Sequence, residues 1–163
     1  QDHPSPAERI ENTNAELPKL VLENLRRDSA LLSAVKERLA RLPYPLLRQE
    51  LIKETVQVAS GGYKAYKLSL APSAWQDYTV NGHFVASGGS GNDIRILLFD
   101  PDNFLNWQNG HEARALHDSG TLTAAAMNVP ITVNGEYFLI LDNKFSWISD
   151  KAVQCEVFVD YRE

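Results

Sequence analysis

Apolar residues recur along this chain with one period before about residue 50 and another period after it. Between Pro18 and Leu42 they lie three or four residues apart, which is the spacing of one face of an amphipathic helix. The stripe consists of Val21, Leu25, Leu32, Val35, Leu39 and Leu42. We therefore predict an N-terminal helical segment over 17–50, behind a flexible, proline-containing lead-in over 1–16.

Residues that end or cap helices bound this segment. Pro18 suits a first helical turn, and Pro43 and Pro45 end the pattern. Asp28 and Ser29 could cap a second helix, so the segment is either one helix or two. Asp28 also stands where the stripe requires an apolar residue, which argues against a coiled coil.

After about Leu51 the period changes to two, which is the alternation of β-strands. The alternating stretches are 55–58, 63–70, 78–87, 93–100, 121–129, 136–142 and 152–161. Turn signals rich in glycine, proline and Asn-Gly separate most of these stretches. The pattern predicts a mainly β domain over 51–163, folded as an antiparallel β-sandwich of seven or eight strands.

Three predicted strands are apolar on both faces. Their alternating rows are Ile94, Ile96 and Leu98 against Leu97 and Phe99; Tyr137, Leu139 and Leu141 against Phe138 and Ile140; and Val157 and Val159 against Phe158. One row of each can fill the core, whereas the other would face water unless something covers it. We predict that the N-terminal helical stripe docks on the outer face of this sheet, or that a second chain does.

Composition and charge exclude several classes of partner. The 163 residues are 44% hydrophobic and 23% charged, as in a soluble globular protein, and carry a net charge of −5. Nucleic acid is bound by clustered Lys and Arg, whereas the basic residues between Arg26 and Arg41 are interleaved with acids. No apolar run reaches the ~20 residues that cross a bilayer. We expect neither a nucleic-acid partner nor a membrane span.

Cysteine usage and the first residue bear on compartment. The lone Cys155 alternates with Val153 and Val157, which predicts a buried, inert thiol that forms neither a disulfide within the chain nor a zinc cluster. The chain begins at Gln1, which is the pattern of a secretory protein whose signal peptide has been removed. We expect a secreted or periplasmic protein.

The stretch 135–153 resembles the closing hairpin of GOLD domains. The residues that fit the family pattern are Gly135, Tyr137, Asp142, Asn143, Phe145, Ser146, Ser149 and Lys151. Asn92-Asp93-Ile94 resembles the start of the family's central strand, and the likeness covers 53–161. It implies a GOLD-like or jelly-roll-like sandwich that recognises proteins without catalysis, as in secretory-pathway cargo receptors. The helical segment before the domain and the long connection from Asp100 to Thr121 depart from that pattern.

The hairpin residues also have physical roles of their own. Asn143 can bond its own backbone and adopt a left-handed conformation at the end of the strand. Asp142 can accept backbone N–H groups from the turn, and Lys151 can pair with an acid. These are structural roles, and we favour them over ligand binding.

The segment 100–111 is the most site-like part of the chain, because a long loop there combines oxygen ligands with aromatic residues. Its candidate binding residues are Asp102, Asn103, Phe104 and Trp107. Asp93, Asp100 and Asp102 could also offer oxygens to calcium, although the twelve-residue calcium-loop signature is absent. A turn begun by Asp100-Pro101 is the alternative that we favour.

Three tryptophans complete the set of candidate binding residues. Trp75, Trp107 and Trp147 fall in predicted loops or at strand ends, where an exposed indole can stack on a sugar ring or anchor a protein partner. Single aromatic residues in loops also commonly cover a core. We prefer Trp107 as the contact residue because its neighbours are polar and its loop is long.

No catalytic group of residues emerges. A strand follows the glycine-rich 88–92, so this segment is not a phosphate-binding loop, and Ser119 lacks the hydrolase elbow pattern. We therefore predict a non-enzymatic binding module without a cofactor, most simply one that recognises a protein. The alternatives are a carbohydrate-binding module that uses the loop tryptophans, with or without calcium, and a structural protein that self-associates through its N-terminal helix.

Overall fold

The computed structural model describes residues 6–16, 30–42, 45–70, 76–89 and 91–162. The chain divides into two compact units, Gln1–Pro43 and Tyr44–Glu163. Within the first unit, the described helices are α1 (Pro6–Glu16) and α2 (Ala30–Ala40).

The helix α1 corrects the prediction of a flexible lead-in over 1–16. Pro6 is compatible with a first helical turn, and the Ala, Glu and Arg that follow it favour helix despite the weak apolar spacing. The helix α2 lies within the predicted helical segment. Asp28 and Ser29 lie outside the described residues, so the choice between one helix and two stays a prediction.

The second unit is an antiparallel β-sandwich with one helix, which confirms the predicted fold class. Its elements are β1 (Leu46–Val58), β2 (Tyr63–Leu70), β3 (Gln76–Ser87), β4 (Ile94–Phe99), α3 (Pro101–Gln108), β5 (His117–Leu122), β6 (Ala124–Ile131), β7 (Gly135–Asp142) and β8 (Lys151–Arg162). One sheet has the strand order β1-β8-β3-β6, and the other has the order β2-β7-β4-β5.

Two predicted boundaries are wrong. The strand β1 begins at Leu46, inside the predicted helical segment 17–50, because it pairs with β8 along its whole length from Leu46 to Val58. The predicted strand 121–129 is two strands, β5 and β6, which meet at Thr123 and belong to different sheets. Tertiary pairing decides both boundaries, because Pro43 and Pro45 mark the end of the helical pattern without fixing where a strand begins, and no strong turn signal separates β5 from β6.

The core lies between the two sheets and is built from the inward rows of both. Among the large side chains that are fully buried are Phe84, Ile94, Ile96, Leu98, Leu139 and Leu141. Cys155 is buried in the same cluster, and burial raises the pKa of its thiol to about 12. A thiol with that pKa stays protonated at neutral pH, which confirms the predicted buried cysteine.

The outer face of the β2-β7-β4-β5 sheet carries a second, smaller core. Leu97, Phe99 and Ile140 are buried there against Phe104 and Trp107 of α3. The cover of this row therefore comes from α3. Docking of the N-terminal stripe, or of a second chain, on the sheet stays a prediction. Phe158 belongs to the other sheet, and the guanidinium of Arg48 lies 3.9 Å from its ring centre. Of the three strands predicted to be apolar on both faces, β4 and β7 thus belong to one sheet and β8 belongs to the other.

Candidate functional site

The antiparallel strands place their connections at two opposite ends of the sandwich. One end, which we call the loop end, carries the β1–β2 turn (59–62), the β3–β4 connection (88–93) and the β7–β8 loop (143–150). The other end carries the β4–α3 junction and the β6–β7 turn (132–134); we call it the cleft end.

Asn143 ties the loop end together from inside. It is fully buried, and its side-chain amide donates to the carbonyl oxygens of Val58 (3.2 Å), Ala59 (3.1 Å) and Ser149 (3.0 Å). Its backbone N–H donates to Gly62 O at 2.9 Å. Its own φ is negative, so the expected left-handed conformation is wrong. Asn143 instead joins its loop to the β1–β2 turn.

Lys151 joins the third connection to the same end. Its ammonium, with only 3% of the side chain exposed, lies 3.0 Å from both Gly88 O and Asp93 Oδ1. This contact confirms the predicted pairing of Lys151 with an acid. Gly89 has φ +69°, and a Cβ on it would collide with the Ser149 side chain, so the β3–β4 connection requires glycine at this close approach.

The β7–β8 loop holds large apolar side chains outside the protein. Trp147 is 89% exposed and Ile148 is 93% exposed, and Phe145 is partly exposed beside them. We call these three residues the apolar tip. Ser146 holds the loop beneath the tip: its Oγ donates to Ser149 O at 3.0 Å, and its carbonyl accepts from Gly61 N at 2.7 Å.

Further hydrogen bonds hold the two flanks of the tip. Asp142 Oδ1 accepts from Lys144 N at 3.0 Å, which confirms the predicted role of Asp142 at the turn. Asp150 Oδ1 accepts from Ser60 N at 2.8 Å. The apolar tip therefore stands on a loop whose backbone is fixed on both sides.

The segment 100–111, predicted as a loop, is mostly the helix α3. Asp100 is its N-cap and accepts from Asn103 N at 2.8 Å, and Pro101 occupies the first turn. This Asp-Pro pair starts a helix here and not a turn, because the apolar side of α3 has a sheet face to cover. Asn103 is a structural residue as well, since its Oδ1 accepts from Arg114 N at 2.8 Å. Asp102 is exposed in the first turn.

Trp107, the preferred contact residue, is half-buried in the second core. Its ring makes an edge contact with Tyr63 at 5.0 Å, and the ammonium of Lys144 lies 3.8 Å from its ring centre. Phe104 stacks on Phe138 with 4.3 Å between ring centres. Both aromatic residues cover the sheet, which was the alternative reading of loop aromatics. Trp75 lies outside the described residues.

The structure does not bring the three weak candidate calcium ligands together. Asp93 and Asp100 flank the six residues of β4, which separates them by about 20 Å. Asp93 binds Lys151, and Asp100 caps α3 with both carboxylate oxygens bound by Asn103. Within the described ranges, no group of three His, Cys, Asp or Glu residues is placed to hold a metal ion.

The cleft end has the opposite character. A cleft of about 440 Å³ opens there between the β4–α3 junction and the β6–β7 turn. Its lining includes Asp100, Pro101, Leu116, Pro130, Ile131, Val133, Glu136 and Tyr137. Leu116 is 48% exposed and Val133 is 66% exposed, although both are apolar. We call this recess the end cleft. No residue of it except Asp100 was a candidate, since its lining comes from three separate segments.

Two titratable groups lie next to the end cleft on β5. Burial lowers the pKa of His117, and its Nε2 is buried without a hydrogen-bond partner among the described residues. The bidentate contact with Arg95, at 2.9 and 2.6 Å, lowers the pKa of Asp118 to about 2. Both residues lie in the paired part of β5, opposite Leu98 and Leu97 of β4.

No protein-family model matches the chain, and no curated protein matches it. Two solved structures are similar to this chain at low scores. One is a protein of Bacillus endospore appendages, described as a novel family of disulfide-linked pili: identity 12%, coverage 73% of this chain and 89% of that one, TM-score 0.43. The other is the carbohydrate-binding module CBM36 in complex with calcium and xylotriose: identity 11%, coverage 72% and 98%, TM-score 0.33. Scores this low indicate nothing about what this chain binds.

Among the helices described above, none has the length and apolar character that a transmembrane helix requires.

Proposed function

We propose that the chain is a non-catalytic binding module in a secreted or periplasmic compartment, and that its apolar tip contacts a protein partner. One observation carries the proposal: Trp147 and Ile148 stand together, almost wholly exposed, on a loop that buried polar groups hold in place. Adjacent large apolar residues on a fixed loop are typical of the anchors at the centre of protein interfaces.

The energetics favour this use of the tip. Burying the tryptophan and isoleucine side chains would gain roughly 5–8 kcal/mol before the cost of association, at about 25 cal/mol per Å² of apolar area. Because the loop is already ordered by Asn143 and Ser146, little of that gain is lost in fixing its backbone. An exposed tip on an unanchored loop would lack this advantage.

The resemblance to the GOLD hairpin supports the same role. The residues that fit the family pattern include Asn143, Ser146, Ser149 and Lys151, and these are the residues that hold the loop beneath the tip. The family's implied role is protein recognition, and the apolar tip offers the surface that such a role needs.

The test compares the full chain with a Trp147→Ser/Ile148→Ser variant. Each protein is immobilised and exposed to secreted and periplasmic fractions of the native cells, and retained proteins are quantified by mass spectrometry. We expect the wild type to retain partners that the double variant loses at least tenfold. Leu105→Ser, a change at a 57% exposed position on α3 that belongs neither to the tip nor to the end cleft, is the matched control and should retain them. Equal retention by all three proteins would refute the role of the tip.

Compartment is tested separately, by fractionating native cells and probing with an antibody. The protein should appear in the periplasmic or secreted fraction. A purely cytosolic signal would contradict this part of the proposal while leaving the tip's role to the retention experiment.

A carbohydrate is the second candidate partner, because an exposed indole such as that of Trp147 can stack on a sugar ring. A glycan array separates the two candidates. A glycan signal that Trp147→Ser abolishes and Ile148→Ser preserves would favour sugar stacking, since sugars need the ring and not the isoleucine. We expect no such signal, and no effect of calcium.

A further inference from the structure

We infer that the apolar tip of one copy docks into the end cleft of another copy, so that this protein associates head to tail. The inference rests on the proposed function, because it names the protein partner of the tip as a second copy of the chain. The two surfaces match in size, apolar character and charge.

The end cleft has room for the tip. Its volume of about 440 Å³ lies within the range of roughly 300–1,000 Å³ that accommodates a small ligand. The side chains of Trp147 and Ile148 together are smaller than such a ligand. The cleft is open at the protein surface, so a protruding loop can enter it without a conformational change.

The walls of the cleft are apolar where the tip would lie. Leu116 and Val133 form exposed apolar walls, and Pro101 and Pro130 add rigid apolar surface. Both the tip and the cleft thus expose to water apolar surface of the kind that proteins usually bury. Each supplies what the other lacks: a convex apolar anchor and a concave apolar recess.

The charges at the two surfaces are complementary. Asp100 and Glu136 are acids of the cleft lining, and none of the described lining residues is basic. Lys144 is exposed in the same loop as the tip, with its ammonium 3.8 Å from the centre of the Trp107 ring, so docking would have to draw this ammonium from the ring towards the carboxylates. Glu136 already binds Lys67 and Asp100 binds Asn103, but carboxylate oxygens retain further acceptor capacity. Such pairs at the rim orient an encounter more than they strengthen it.

The distance between the tip and the cleft of one copy means that the contact can form only between two copies. The strand β7 starts at Gly135 in the cleft and ends at Asp142 before the tip, so its eight residues hold the two surfaces about 25 Å apart. A tip cannot reach its own cleft. Each copy also keeps one free tip and one free cleft after docking, which is the arrangement that gives open chains or rings. The contact is small, so the association should be weak and dependent on concentration.

The experiment measures mass by sedimentation of the full chain from about 10 μM to about 1 mM, a range suited to weak complexes. The tip variant is Trp147→Ser/Ile148→Ser, and the cleft variant is Leu116→Ser/Val133→Ser. All four side chains are substantially exposed, and circular dichroism checks that both variants fold. We expect the wild-type mass to rise with concentration and each variant alone to stay monomeric.

Mixing the two variants gives the sharpest result. An equimolar mixture retains one working cleft and one working tip per pair, so it should form dimers and nothing larger. Lys144→Glu should weaken wild-type association several-fold at low salt and less at high salt.

Three results would overturn the inference. Dimers of the cleft variant alone would mean that tips pair with tips, and oligomers of the tip variant alone would place the interface elsewhere, for example on α2. A wild type that stays monomeric at every concentration would exclude self-association. In that last case the proposed function is still tested by the retention experiment with cell fractions, because that experiment does not depend on self-association.

Discussion

The two ends of the sandwich are built from the same strands, yet they distribute polar and apolar groups in opposite ways. At the loop end, Asn143 and Lys151 are buried and Trp147 and Ile148 are in water. At the cleft end, apolar residues line a recess and the carboxylates of Asp100 and Glu136 are part of its lining. The comparison shows how one domain can present both an anchor and a pocket.

The difference has a physical cause. Apolar burial is favourable but non-directional, so it cannot by itself hold a loop in a protruding shape. Hydrogen bonds are directional, and inside the protein they are costly to leave unmade. The loop end uses this property, because the amide of Asn143 fixes three carbonyl groups beneath the tip. The cleft end is built differently, since its walls combine the ends of β6 and β7 with Leu116, the β6–β7 turn and the start of α3.

The largest effect should come from removing the buried amide of the loop end. Asn143→Ala would remove the buried side-chain donor that the carbonyls of Val58, Ala59 and Ser149 share. The N–H of Gly62 would still reach Ala59 O and the Oγ of Ser146 would still reach Ser149 O, but the link between the two loops would be lost, and we expect a loss of about 3 kcal/mol of unfolding free energy. Urea unfolding measures it. The control is Asn134→Ala, an exposed change in the β6–β7 turn, which should cost less than about 0.5 kcal/mol. Equal losses of unfolding free energy in Asn143→Ala and Asn134→Ala would contradict the proposed difference between the two ends.

The next effect concerns the tryptophan that covers the sheet. Trp107→Ala would remove a half-buried ring from its contacts with Tyr63, Phe99 and Phe104, and we expect a loss of about 2 kcal/mol. Thermal and urea unfolding measure it. A loss below about 0.5 kcal/mol would mean that this ring is free for ligand contact, as its sequence position suggested.

Acid should weaken the cleft end through His117. Burial lowers its pKa in the folded protein, so below about pH 6.5 the unfolded chain binds the proton more readily and stability falls with falling pH. We expect a loss of less than about 1 kcal/mol between pH 7.5 and 5, since part of the ring is exposed.

His117→Gln should flatten this pH dependence, and the exposed His111→Gln should leave it unchanged, with unfolding free energies measured at each pH. An unaltered slope in His117→Gln would assign the acid sensitivity to another group.

The smallest effect on stability should come from the most exposed tryptophan. Trp147→Ser removes a side chain that is almost entirely in water, so we expect a change of less than about 0.5 kcal/mol in unfolding free energy. The pair Trp107→Ala and Trp147→Ser then separates a structural indole from a contact indole in one measurement. A large loss in Trp147→Ser would mean that the tip supports the fold, contrary to the proposed role.

Much of the loop end could be predicted from the sequence. The hairpin pattern identified Asp142, Asn143 and Lys151 as structural residues, and the contacts of Asp142 and Lys151 are as expected. Trp147 was among the candidates. Its greater exposure relative to Trp107 could not be predicted, because the exposure of a loop aromatic depends on what packs against it, and the helix α3 was predicted as a loop. The end cleft could not be predicted, since its walls come from segments far apart in sequence.

The sequence by itself determined the elements of the sandwich and its two-faced strands, because side-chain alternation is a local property that any strand must show. It also determined which residues could hold the closing hairpin. The tertiary structure alone decided that β5 and β6 separate into two sheets, that α3 covers the outer row, and that Trp107 is packed while Trp147 is free. These outcomes depend on which surfaces meet in space, and the pattern along one strand or loop contains no information about its neighbours.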